Sequence, residues 1–172
     1  MLFSTWQFIL VFLPVSFFVY FWLNSRRMII AGKVWLVAAS LFFYAYWDIR
    51  YLALILASIM FNFAVGTGLA QAHLQAAHGG PEPPPRLRRK AVLAAGIAAN
   101  LLLLGYFKYT GFLLQNLNAV FGTGFSAPHI VLPLAISFFT FTQIVYLVDS
   151  YRGETAEYDL LNYALFVTFF PQ

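Results

Sequence analysis

The chain has 172 residues, of which 62% are hydrophobic, 20% aromatic and 9% charged, with a mean hydropathy of +0.77. Soluble domains carry about 25% charged residues, so this sequence holds too few polar side chains to clothe a water-facing surface, and lipid is the expected solvent. The absence of cysteine excludes disulfides, thiolate catalysis and cysteine-ligated metals, and the net charge of +4 reads as membrane topology, with no nucleic-acid partner expected.

A spanning helix needs about 20 mostly apolar residues. The first such stretch runs from Trp6 to Leu23. Its leading "MLFST" carries no Lys or Arg and "NSRR" follows it, so a retained anchor is expected and not a cleaved signal peptide. The second runs from Met28 to Trp47, with Lys33 near its start. The third, Tyr51 to Ala70, shows Ser58, Asn62, Gly66 and Ala70 at steps of four. Small residues at that spacing let helices approach closely, and an Asn among them can hydrogen-bond across the contact. Next comes "HLQAAHGGPEPPPRLRRK", residues 73–90. Gly79, Gly80, Pro81, Pro83, Pro84 and Pro85 interrupt regular helix there. The Arg86, Arg88, Arg89 and Lys90 run suits anionic head groups.

The fourth stretch, Ala91 to Tyr109, repeats the packing pattern at Gly96 and Asn100. Lys108, between Phe107 and Tyr109, reads as a snorkelling ammonium beside ring anchors at a helix end. Residues 112–129 are less apolar and predict a short interfacial helix and a loop. The fifth stretch runs from Val131 to Val148, and a sixth apolar run from Leu160 meets Pro171-Gln172, as if the chain stopped inside a larger architecture. The expected fold class is all-α, a polytopic transmembrane bundle with five to six membrane helices in one membrane domain over 1–172. Basic residues after the first, third and fifth stretches number eight, against Arg50 and Lys108 after the others. By the positive-inside rule the N-terminus lies outside and the 73–90 connector is cytoplasmic.

The fifth stretch places Thr140, Gln143 and Tyr146 within about 120° of one helix, with Ser137 and Asp149 extending the arc. Facing lipid, an Asp alone costs about 2.5–3.5 kcal/mol at mid-membrane. The ridge is therefore expected to face inward, toward other helices or a wet cavity. Asp149 is expected near the membrane edge, in an ion pair with Arg152. His73 and His78 fall in the connector and His129 beside Pro128 in a loop, so none has the convergent neighbours that a metal site needs. No nucleophile elbow, zincin motif or phosphate loop is present.

"MLFSTWQFILVFLP", "LFFYAYWD", "MFNFAVG", "LGYFKYTGF", "LPLAISFFTFTQIVYLVDSYRGE" and "FVTFFPQ" follow one another in this order. Together they resemble the N-terminal part of the membrane-bound O-acyltransferases, in the bacterial branch that includes the alginate O-acetylation and teichoic-acid D-alanylation proteins. The resemblance covers nearly the whole chain outside 73–90. It implies a longer inner-membrane enzyme whose catalytic histidine lies downstream; no residue here matches that histidine, and His73, His78 and His129 do not stand in for it. It further implies acetyl-CoA or another acyl-CoA as cytoplasmic donor, with no cofactor held. The implied acceptor is an extracytoplasmic polysaccharide such as alginate, or a partner protein that carries the acyl group onward. The chain alone would be inactive, with Ser137, Thr140, Gln143, Tyr146 and Asp149 as candidate tunnel wall. A transporter or a non-enzymatic assembly subunit is the alternative reading; the former should show repeated halves, and none is evident.

Overall fold

In lipid a backbone must satisfy its own polar groups, and uninterrupted apolar sequence does so as helix. The computed structural model describes residues 6, 8–47, 49–77, 85–122, 136–154 and 159–169, and all regular structure among them is helical. A π-helical stretch, Phe8–Phe12, leads into α1 (Leu13–Ser25). There follow α2 (Ile29–Trp47), α3 (Ile49–Ala77), α4 (Arg86–Phe121), α5 (Ile136–Arg152) and α6 (Leu160–Thr168). Among the described residues three stretches, Ile29–Tyr46, Leu52–Ala77 and Arg86–Val120, are long and apolar enough to cross a membrane, while Leu10–Ser25 forms a shorter apolar helix.

Several boundaries differ from the sequence expectation. Residues 73–77 continue α3 and 86–90 begin α4, so both ends of the expected 73–90 connector are helical, while 78–84, His78 included, lie outside the described residues. The predicted interfacial helix at 112–121 is instead a continuation of α4, and Lys108 sits mid-helix with its Nζ 5.6 Å from the Tyr109 ring centre. Thr110 Oγ1 donates to the Tyr106 carbonyl at 2.5 Å and Asn116 Nδ2 to the Phe112 carbonyl at 2.7 Å. These polar side chains find their partners on the preceding turn of the same continuing helix. The helix stops only at Gly122, in the left-handed region with φ 64°. The loop expected beyond it, with His129, and residues 131–135 lie outside the described residues. The fifth helix, described from Ile136, runs past Val148 to Arg152.

Two compact units divide the chain: Met1–Phe63 with Glu157–Gln172, and Ala64–Ala156. In the first, α1 packs on α2 and α2 on α6. Rings dominate this packing: Phe8 meets Phe43 edge-on at 5.3 Å and Phe12 stacks on Phe42 at 6.2 Å. Trp35 Nε1 donates to the Ser16 carbonyl at 3.2 Å, and Lys33 Nζ to Asn162 Oδ1 at 2.6 Å. An apolar cleft of about 710 Å³ remains, with Phe12, Val15, Trp35, Ala38 and Phe42 among its lining. In the second unit α5 lies along α4.

Candidate functional site

The polar ridge sits on α5, and its orientation follows from helix geometry. Thr140, Gln143 and Tyr146 are buried, with Gln143 fully enclosed. Ser137 is exposed and Asp149 only half-buried. At 100° per residue each of these two lies about 120° from Gln143, on opposite flanks. The buried face therefore centres on Ile136, Gln143 and Ser150, and the arc expected to extend through Ser137 and Asp149 is narrower. Ser150 was not part of the expected ridge. It lies two helical turns beyond Gln143, a spacing that could have found it.

Glycines on the neighbouring helices let α5 seat closely. A Cβ on Gly66 would overlap the Tyr146 ring, and one on Gly96 would lie 2.9 Å from Leu147 Cδ1. Asn100, buried, donates to the Gly96 carbonyl at 2.8 Å. Ser58 and Asn62, also buried, belong to the first unit, where Asn62 Nδ2 donates to the Ser58 carbonyl at 2.9 Å. Gly66, Gly96 and Asn100 thus share a unit with the α5 ridge. Thr140 Oγ1 and Ser150 Oγ are buried with no hydrogen-bond partner among the described residues. Such hydroxyls ordinarily hold a water or another polar group, which makes the ridge a surface able to orient one.

The carboxyl end of α5 is built differently from the expected Asp149–Arg152 ion pair, which does not form. The Glu154 N–H donates to the Asp149 carbonyl at 3.0 Å and the Gly153 N–H to Ser150 at 3.3 Å, around Gly153 at φ 76°. This is a Schellman cap, and it satisfies carbonyls that would otherwise be orphaned. Arg89 adds to it: Nη2 donates to the Tyr151 carbonyl at 2.8 Å, and the guanidinium lies 5.0 Å over the Tyr151 ring. The same Nη2 is 3.1 Å from His73 Nδ1. From sequence, Arg89 and His73 fell in the 73–90 connector. The only hint of another role was an Arg and a His flanking a proline run whose ends the fold brings together.

Over 198 aligned residues the chain is 40% identical to the peptidoglycan O-acetyltransferase of Helicobacter pylori, matching 100% of this chain and 36% of that protein. It is 35% identical to the probable alginate O-acetylase AlgI of Pseudomonas aeruginosa, over 99% of this chain and 31% of that protein. The corresponding protein of Azotobacter vinelandii gives 35% over 99% and 32%. The chain spans about a third of the length of the curated relatives it matches. No family model and no solved structure gives a match.

Proposed function

We propose that this chain, 40% identical over its whole length to a peptidoglycan O-acetyltransferase, belongs to the membrane-bound O-acyltransferases and that the whole protein transfers acetyl groups to hydroxyls of a cell-envelope polysaccharide. The 40% identity to a peptidoglycan O-acetyltransferase over the entire chain carries this reading. In it the protein sits in the bacterial inner membrane with its N-terminus outside and the 73–90 region in the cytoplasm. Acetyl-CoA is the cytoplasmic donor. The acceptor is a polysaccharide hydroxyl, met directly or through a partner protein that carries the acetyl group across.

The reaction exchanges a thioester for an oxygen ester. A base takes the hydroxyl proton, the oxygen attacks the acetyl carbonyl, and the sulfur leaves with a proton. No residue described in this chain is assigned as that base; a histidine beyond Gln172 is the expected one. The part given to this chain is positional. The buried ridge of Thr140, Gln143 and Tyr146 forms wall or support of the path between donor and acceptor. Ser137 and Asp149, on the flanks, take a lesser share.

The test is transfer of labelled acetyl groups from acetyl-CoA in membranes that hold either the longer gene product or this 172-residue chain. Peptidoglycan and alginate serve as parallel acceptors. The expected result is base-labile label on one polysaccharide with the longer product only. Label transferred by the short chain alone overturns the positional role, and no transfer to any envelope polysaccharide by the longer product overturns the acetylation itself.

A further inference from the structure

We propose that His73 and Arg89 form a proton-sensitive latch on the carboxyl end of α5. The inference does not depend on acetyl transfer. Arg89 is the one charged side chain that is buried among the described residues, at 9% exposure. Among the described residues no carboxylate pairs with it, and its Nε has no partner. A buried cation without an anion needs other compensation. Here the compensation is the Tyr151 carbonyl, the face of the Tyr151 ring and the negative end of the α5 dipole. Arg89 thus holds one end of α5 from the first turns of α4.

His73 completes the arrangement from the last turns of α3. A guanidinium only donates, so the 3.1 Å contact requires His73 Nδ1 to accept, with the ring neutral and its proton on Nε2. The other edge of the ring, Nε2 and Cδ2, occupies the space where a Cβ on Gly153 would stand. The ring is therefore wedged between Arg89 and the Gly153 cap. Protonation removes the accepting lone pair and sets a second cation against the buried guanidinium. Among the described residues no acid pairs with either group: Asp149 is half-buried on α5 and bonds to neither, Glu154 is exposed, and the cations Arg86, Arg88, Lys90 and Arg152 are all exposed. His73 itself is half-buried, so protons can reach it. The latch is closed while His73 is neutral and opens as pH falls, releasing residues 151–154 and loosening the seat of the ridge on α5.

The whole chain in lipid nanodiscs tests this, because the absence of native cysteine allows clean spin-labelling at Arg86→Cys and Glu154→Cys, both exposed positions. The distance between the labels is measured at about pH 8 and about pH 5, the ends of the range over which histidines ordinarily change charge. A single narrow distance at the higher pH, lost at the lower, is expected. In His73→Asn the amide oxygen takes the accepting place without titrating, so the narrow distance should persist at both. In Arg89→Met it should be lost at both. A native distance indifferent to pH, or a loss at low pH that survives in His73→Asn, overturns the latch. A narrow distance retained in Arg89→Met does so as well.

Discussion

The α1–α2 pair and the α4–α5 pair solve the same problem by different means. The first, together with the π-helical stretch that leads into it, is held by ring contacts and an indole bond, and a cleft of about 710 Å³ lies along it. The second buries Thr140, Gln143, Tyr146 and Ser150 beside glycines and ends in a guanidinium clamp. In lipid, apolar area alone does not choose between a helix and an acyl chain, since both offer the same contacts. Close fit and hydrogen bonds make the choice. The α4–α5 region is therefore specified in detail, while the α1–α2 pair tolerates looser packing.

The sharpest break of that contrast is at Gly66. A methyl group there meets the Tyr146 ring, which is buried and cannot swing away, whereas Gly68, two residues on, has nothing within 4 Å. Gly66→Ala should destabilise by about 1–3 kcal/mol through overpacking. Gly68→Ala should stabilise by roughly 0.5–1 kcal/mol through helix propensity. Denaturant titration followed by tryptophan fluorescence compares the two; equal effects would show that the fit around Tyr146 is not tight.

How far these features were legible from sequence depended on their range. Apolar length gave the helices, and period gave the inward side of Thr140, Gln143 and Tyr146, because a helix in lipid must hide polar groups locally. The small-residue steps pointed to Gly66 and Gly96 for the same reason. Residue spacing within one helix could not show that His73 and Arg89, on either side of the proline run, return to one place against Tyr151. That contact depends on how three helices end. Nor could composition foresee that α4 would continue through 112–121, with Asn116 bonding back to its own helix. Asp149 and Arg152 have the spacing for a pair, but Gly153 made a backbone cap the better ending.

A milder break lies in the aromatic pair. Trp35→Phe keeps a ring between α1 and α2 but removes the indole donor to the Ser16 carbonyl. The loss should be about 0.5–1.5 kcal/mol, the usual net worth of one hydrogen bond. Because this bond ties the two helices by a polar contact, the spacing of α1 from α2 should also increase, measurable by distances between labels on the two helices. If neither changes, ring packing alone specifies the pair.

The smallest effect concerns the turn between these two helices. Arg27 sits at φ 58°, and the Met28 N–H donates to the Leu23 carbonyl at 3.1 Å while the Arg27 N–H donates to Asn24 at 2.9 Å. This is the same cap geometry as at Gly153, with an arginine in the glycine place. A side chain in the left-handed region costs about 1–2 kcal/mol, and glycine there regains it but loses roughly 0.5–1 kcal/mol of chain entropy on folding. Arg27→Gly should therefore stabilise, by only about half a kcal/mol. Arg27→Ala, which removes the charge but keeps the strain, separates the two contributions. If alanine stabilises as much as glycine, the charge and not the backbone governs this turn, and the α1–α2 pair owes its ending to the membrane surface.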